Sequence, residues 1–217
     1  MTLVDAQSRP STQASIDAQL EAIDAKSSQV KDLTARFEQR KYSALLMEPL
    51  ITTGEVRSKA STMLWIGQTP EATRMRVTLE RMQIYYVKQK LVEDYPIVGK
   101  LGSLAASPLP KLAMLRERFT IAPDAGEGLA APADNTEPVA FKLTPREDEV
   151  KQYVGHIRVL LDASRGLVST FEMVDPDGER TTIAFTDVRV NGGIDDASLE
   201  LGAPRDTKVV KPLEPGK

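Results

Sequence analysis

The chain has 217 residues, 41% apolar and 27% charged, and its 28 basic and 31 acidic side chains leave a net charge of −3. With no cysteine and a single histidine, His156, it cannot build disulfide scaffolds, thiolate metal sites, iron–sulfur clusters or imidazole clusters. The scattered cations make no basic face for nucleic acid, and the longest uncharged stretch, residues 60–70, is short of the ~20 apolar residues that span a bilayer.

In chain order, residues 1–14 are expected to be a flexible N-terminal segment ahead of one domain over residues 15–203. Ile16, Leu20 and Ile23 fall at helical steps, which predicts a helix from an N-cap at Ser15 to about Lys26. Leu33, Ala35 and Phe37 then alternate with polar residues, predicting a strand over 32–43. Beyond it the period is two, most clearly in Arg74-Met75-Arg76-Val77-Thr78-Leu79-Glu80, and strands with one polar face belong to antiparallel sheets. Leu109, Leu112 and Leu115 step by three behind Ser107-Pro108-Leu109-Pro110, predicting a short apolar helix over 107–116.

Residues 121–138, rich in alanine, proline and glycine, read as a mobile surface loop. Period-two strands resume with Phe141/Leu143, Ile157/Val159/Leu161, Leu167/Phe171/Met173 and Ile183/Phe185. The turn signals between them imply hairpins rather than helical crossovers. The proline-rich tail, residues 204–217, is expected to drape over the surface or lack structure.

Chemistry-bearing motifs are weak. Asp175-Pro176-Asp177-Gly178-Glu179 has half the ligands of a calcium loop and reads as a hairpin turn. Gly99-Lys100-Leu101-Gly102-Ser103 lacks phosphate-loop spacing. His156 is out of phase with Ile157 and Val159, so it falls on the polar face without an identifiable catalytic partner. No enzyme activity, metal or cofactor is therefore expected. The chain does carry an apolar sheet face rich in internal methionines, residues that adapt to irregular ligands.

Several stretches together resemble the LolA-like family of periplasmic carriers of outer-membrane lipoproteins. Ala35-Arg36-Phe37-Glu38-Gln39 is similar to the family's first strand. Gly54-Glu55-Val56 followed by Met63-Leu64-Trp65 is similar to its tryptophan hairpin, and Phe141-Lys142-Leu143-Thr144-Pro145 to its "L-x-P" strand end. Phe171-Glu172-Met173 with Asp175, Gly178 and Thr181 through Phe185 resembles its "D-x-x-G-x-x-T" hairpin. The likeness runs from about Val30 to Val210.

It implies a mainly β fold: an unclosed, strongly curved antiparallel barrel whose apolar concave face is covered by an N-terminal helix and short lid helices. The resemblance further implies a monomer whose cargo is an acylated lipoprotein or another lipid or amphiphile, the alternative being an outer-membrane lipoprotein receptor of the same fold. The carrier would take that cargo from an inner-membrane release complex to an outer-membrane acceptor, in the periplasm, after loss of a signal peptide. Met63, Trp65, Met75, Val77, Leu79, Ile157, Val159, Phe171, Met173 and Phe185 are expected to line the cavity. So is one of Tyr85 and Tyr86, with Tyr86 the choice. Leu109, Leu112 and Leu115 are expected to face them from the lid. Where the family has an arginine–proline pair this chain reads Lys59-Ala60-Ser61, so the arginine's lid-holding role either falls to Lys59 or Arg57 or is absent.

Overall fold

A computed structural model describes residues 13–96, 108–109 and 112–212. Residues 1–12 of the expected flexible segment, 107, 110 and 111 of the expected lid helix, the Gly99–Ser103 motif and the last five residues of the tail lie outside these. Helix α1 spans Gln13–Ser27, so Ser15 sits inside it rather than at its cap. Six strands follow in a meander: β1 Asp32–Tyr42, β2 Leu50–Lys59, β3 Thr62–Thr69, β4 Thr73–Val77, β5 Arg81–Tyr86 and β6 Leu91–Pro96. After α2, Leu112–Arg118, come β7 Phe119–Asp124 and β8 Pro138–Pro145, the single turn α3 Asp148–Lys151, then β9 His156–Asp162, β10 Leu167–Val174 and β11 Arg180–Val190. A short 3-10 turn, Asp196–Leu199, precedes β12, Lys208–Val210.

Among the described residues the twelve strands form one sheet in the order β12-β6-β5-β4-β3-β2-β1-β11-β10-β9-β8-β7, with β12 and β7 at its two ends and not paired with each other, so the barrel is not closed. Every pairing is antiparallel except β12 with β6. Curvature follows from packing. Met75 on β4 and Phe119 on β7 lie eight strand spacings apart in this order, about 38 Å if flat at ~4.8 Å each, yet both pack into one core cluster with Leu20 and Leu112 of the two helices. The sheet wraps around α1 and α2.

Helix α1 is seated by its C-terminal end. The β9–β10 turn brings Gly166, at φ 69, against Ile23 and Ser27, where a Cβ would lie 2.8 and 2.7 Å from the carbonyl oxygen of Ile23 and the amide nitrogen of Ser27. Lys26 Nζ donates to the carbonyl of Ala163 at 2.6 Å. Only glycine fits at that conformation and that approach.

The outer face departs from the sequence reading in two places. The expected mobile loop at 121–138 begins as part of edge strand β7, and its remainder lies against the outer face: Leu129 is buried, Thr170 Oγ1 donates to the carbonyl of Ala130, and Asn135 Nδ2 donates to Ser169 Oγ at 3.0 Å. The expected loose tail instead supplies β12. Ahead of it, Leu199 and Leu201 bury themselves with Leu64, Tyr85 and Val92 in a second, outer cluster. The physical reason is that both segments carry a few apolar residues which only a neighbouring sheet surface can cover.

Next to the loop, Arg158 bridges two carboxylates, donating to Asp124 Oδ1 at 2.7 Å and Glu172 Oε1 at 3.1 Å, all three side chains being largely buried. The hydrogen bond from Arg158 holds the Asp124 carboxyl below its ordinary value of 3.8. A depressed carboxylate stabilises the fold above its unfolded pKa, and that contribution is lost as pH falls through the folded value. Urea denaturation from pH 6 to pH 2 should therefore show a stability loss below about pH 4 that is shallower in Asp124→Asn; identical pH profiles would disprove this role.

Candidate functional site

Register decides which side chains share the inner face, because antiparallel partners point the same way. The row Val56–Trp65–Met75–Ile84–Glu93 runs across β2 to β6, flanked by Ser58–Met63–Val77–Met82–Tyr95 and by Gly54–Gly67 leading to Thr73–Tyr86–Leu91. On the other half of the sheet, Ile157, Val159, Phe171, Met173 and Phe185 face the same core cluster. The cavity residues expected from alternation, Tyr86 among them, therefore converge on one concave face with the exception of Leu79. Tyr85 points outward into the second cluster.

Leu79 does not belong. It lies in the β4–β5 turn, 70% exposed, because β4 ends at Val77 and the alternation stops there. Lys59 and Arg57 also fall on the outer side, one step out of phase with Val56 and Ser58. Lys59 Nζ pairs with Asp196 Oδ1 at 2.7 Å and donates to the carbonyl of Ile194, while Arg57 Nη1 donates to the carbonyl of Ser198. These cations hold the C-terminal segment and not the lid.

Helix α2 and the segment before it are held by other groups. Leu112 is 1% exposed in the main core, and Leu109 and Leu115 pack against it half-buried. Asp24 Oδ1 of α1 accepts from the Leu112 amide at 3.0 Å, Arg116 Nη2 donates to the Asp17 carbonyl at 2.8 Å, and the Val168 amide donates to the Pro108 carbonyl at 2.9 Å. Arg116 also pairs with the Asp17 carboxylate at 3.4 Å. No local pattern announces the first two bonds, since the partners are 88 and 99 residues apart.

The floor of the face is aromatic. Phe37 meets Trp65 edge-on with ring centroids 4.8 Å apart, and Trp65 lies 5.9 Å from Phe185. Trp65 Nε1 points at Met63 Sδ, 3.1 Å away, so its only polar atom is satisfied by a soft acceptor. From there toward β6 the burial loosens: Met63, Met75, Met82 and Ile84 are only half-buried. The row ends on a polar group, where Tyr86 and Tyr95 both donate to Glu93 Oε2, at 3.1 and 2.8 Å. Burial pushes the Tyr86 phenol up, aided by its bond to Glu93.

His156 sits on the outer face, half-buried, and burial and Lys142 lower its pKa. Asp175 to Glu179 form a tight hairpin turn, with the Gly178 amide on the Asp175 carbonyl. Among the described residues no group of three or more metal-ligating side chains occurs, and no helix is long and apolar enough to cross a membrane.

The fold and this face define a class of protein: an unclosed antiparallel barrel wrapped around helices, with an apolar inner surface that grades into a polar rim. No protein-family model matches the chain, and no curated protein matches its sequence. Solved structures do match in fold. An uncharacterized conserved protein from Thermus thermophilus aligns over 91% of this chain and 99% of its own, at 12% identity and TM-score 0.56. MucB aligns over 88% of this chain at 14% identity and TM-score 0.54, and the chain spans 64% of MucB. The matches include the LolA superfamily protein NE2245 from Nitrosomonas europaea, at 10% identity and TM-score 0.42 over 85% of this chain and 96% of that one.

Proposed function

We propose that this chain is a non-enzymatic carrier whose inner face takes up the acyl chains of lipoproteins and moves them through the periplasm from the inner to the outer membrane. The observation that carries the reading is the half-buried Met63, Met75, Met82 and Ile84, apolar side chains on a concave surface. Such a surface suits a flexible aliphatic ligand, because methionine adjusts to irregular contours. The Glu93–tyrosine group beyond it can accept hydrogen bonds from the polar part of an amphiphile. Burial of ~15 methylenes is worth on the order of 10 kcal/mol, so a lid that repacks on the inner face helps release by recovering apolar contact.

The test is binding of a triacylated lipopeptide, followed by fluorescence, to the parent and to Met75→Asp. We expect at least tenfold weaker binding in the variant with unchanged circular dichroism, because a carboxylate on that face is desolvated by the ligand. Mass spectrometry of protein purified from its native host should then show triacylated polypeptide. Equal binding by Met75→Asp would refute the site, and recovery of only free lipid would move the cargo assignment to another amphiphile.

A further inference from the structure

The strand directions place every turn at one of two rims. One carries the connections at 43–49, 70–72, 87–90, 146–155 and 175–179; the other carries 60–61, 78–80, 125–137 and 163–166. The ten exposed large apolar side chains among the described residues are divided unevenly between them. Leu45, Leu46, Met47, Leu50 and Ile51 belong to the β1–β2 hairpin of the first rim, with Met47 at 104% and Leu45 at 92% exposed, and Val87 and Tyr153 join them. The opposite rim has Leu79 and Val190, and Val209 lies on the edge strand.

The β1–β2 tip is not a frayed loop. The Leu46 amide donates to the Ser43 carbonyl at 3.0 Å, the Leu45 amide to Ser43 Oγ at 3.3 Å, and Ser43 Oγ donates to Glu179 Oε1. These amides are satisfied while the side chains point away, the arrangement a water-poor phase demands. No charge occurs from Tyr42 to Met47. Behind the tip, the Arg180 guanidinium covers the Tyr42 ring at 4.1 Å, and Arg40 and Lys41 pair with Glu38 at 2.7 Å and Glu179 at 3.4 Å. An apolar tip, an aromatic ring and paired charges in succession match the depth profile of a bilayer interface. A protein partner is the weaker fit: three outermost side chains of on the order of 100 Å² each fall well below the ~800 Å² per partner of a stable interface.

We propose that the β1–β2 hairpin inserts into the interface of a lipid bilayer and docks this rim on the membrane. With the exposed Glu48 that follows the tip, Glu38, Glu48 and Glu179 balance Arg40, Lys41 and Arg180, so the collar is neutral and insertion rests on apolar contact that is insensitive to salt. The surface goes beyond the carrier reading and stands on separate residues.

Because the chain lacks cysteine, Met47→Cys and Leu79→Cys each accept one environment-sensitive fluorophore. With phosphatidylcholine vesicles, the label at position 47 should shift to the blue and brighten several-fold, equally at 0.1 and 1 M NaCl, while the label at 79 stays unchanged. The double substitution Leu45→Asp/Met47→Asp should lower vesicle flotation at least tenfold without changing Tm or lipopeptide binding. The proposal is overturned by equal responses at the two labels, by flotation of the double variant within twofold of the parent, or by a position-47 shift that grows with protein concentration without vesicles, which would mark contact between copies. Lipopeptide binding is read separately, so its loss in the parent would count against the carrier reading alone.

Discussion

Replacing Gly54 by alanine is expected to be the most destabilising single-methyl change in the sheet, costing about 3 kcal/mol or more in urea denaturation and lowering soluble yield. A Cβ built there lies 2.0 Å from the carbonyl oxygen of Ile66 and 2.9 Å from Cε1 of Phe37. Overpacking in a core costs ~1–3 kcal/mol when side chains can move aside. Here the obstacle is backbone, fixed by the β2–β3 ladder next to its register shift at Thr53/Gly54. Gly67→Ala serves as the comparison. Its nearest obstacle is the Thr73 hydroxyl at 2.6 Å, a group that can rotate, so about 1 kcal/mol is expected. Phe37→Leu should not rescue Gly54→Ala, because the carbonyl remains; rescue would show that the ring is the true constraint. The gap left by Gly54 also gives the Phe37 ring room over the strand, where it reaches Trp65.

The second large effect is expected at the lid. Leu112→Glu should speed release of a fluorescent lipopeptide by about a hundredfold while the sheet stays folded. Leu112 is 1% exposed in the main core, and an unpaired buried carboxylate costs several kcal/mol. A seven-residue helix cannot absorb that penalty, whereas expelling it gives up, among the described residues, the apolar contacts of Leu109, Leu112 and Leu115, the ion pairs of Arg116 and Arg118 and a few hydrogen bonds to α1 and β10. The near-ultraviolet signal of Trp65, on the opposite wall, should change little in the empty protein. Leu112→Ala, which leaves no charge, should produce a smaller effect. An unchanged release rate in Leu112→Glu would remove α2 from the mechanism, and global unfolding would show that it is part of the core rather than a cover.

Much of this architecture was legible in the residues. Alternation in Met63 to Trp65, Met75 to Val77, Ile157 to Val159 and Phe171 to Met173 placed those side chains on one face, because a strand has no choice but to send neighbours to opposite sides. The i, i+4, i+7 spacing of Ile16, Leu20 and Ile23 identified the buried stripe of α1, with all three nearly inaccessible in the structure. Leu79 was misplaced for the same reason. Its phase was correct, but a phase persists only as long as the strand, and the turn began one residue before it.

What the sequence determined alone is therefore local: strand phase, the buried stripe of α1, and the absence of chemistry that needs thiols or clustered histidines. Only the tertiary structure decided how the polar face is used. From the sequence, Arg74 and Arg76 fall on the polar face of their strand and Lys59 or Arg57 is expected at the lid, yet each of the four donates to a backbone carbonyl between Ile194 and Leu201 and so binds the C-terminal segment across the outside of the sheet. Those pairings span 123 to 141 residues, and no periodicity within either segment encodes them. The same holds for the unequal rims. Which turns share an end depends on strand order and direction, so the apolar hairpin tip is visible in the sequence, whereas its company at one end of the barrel appears only once the sheet is assembled.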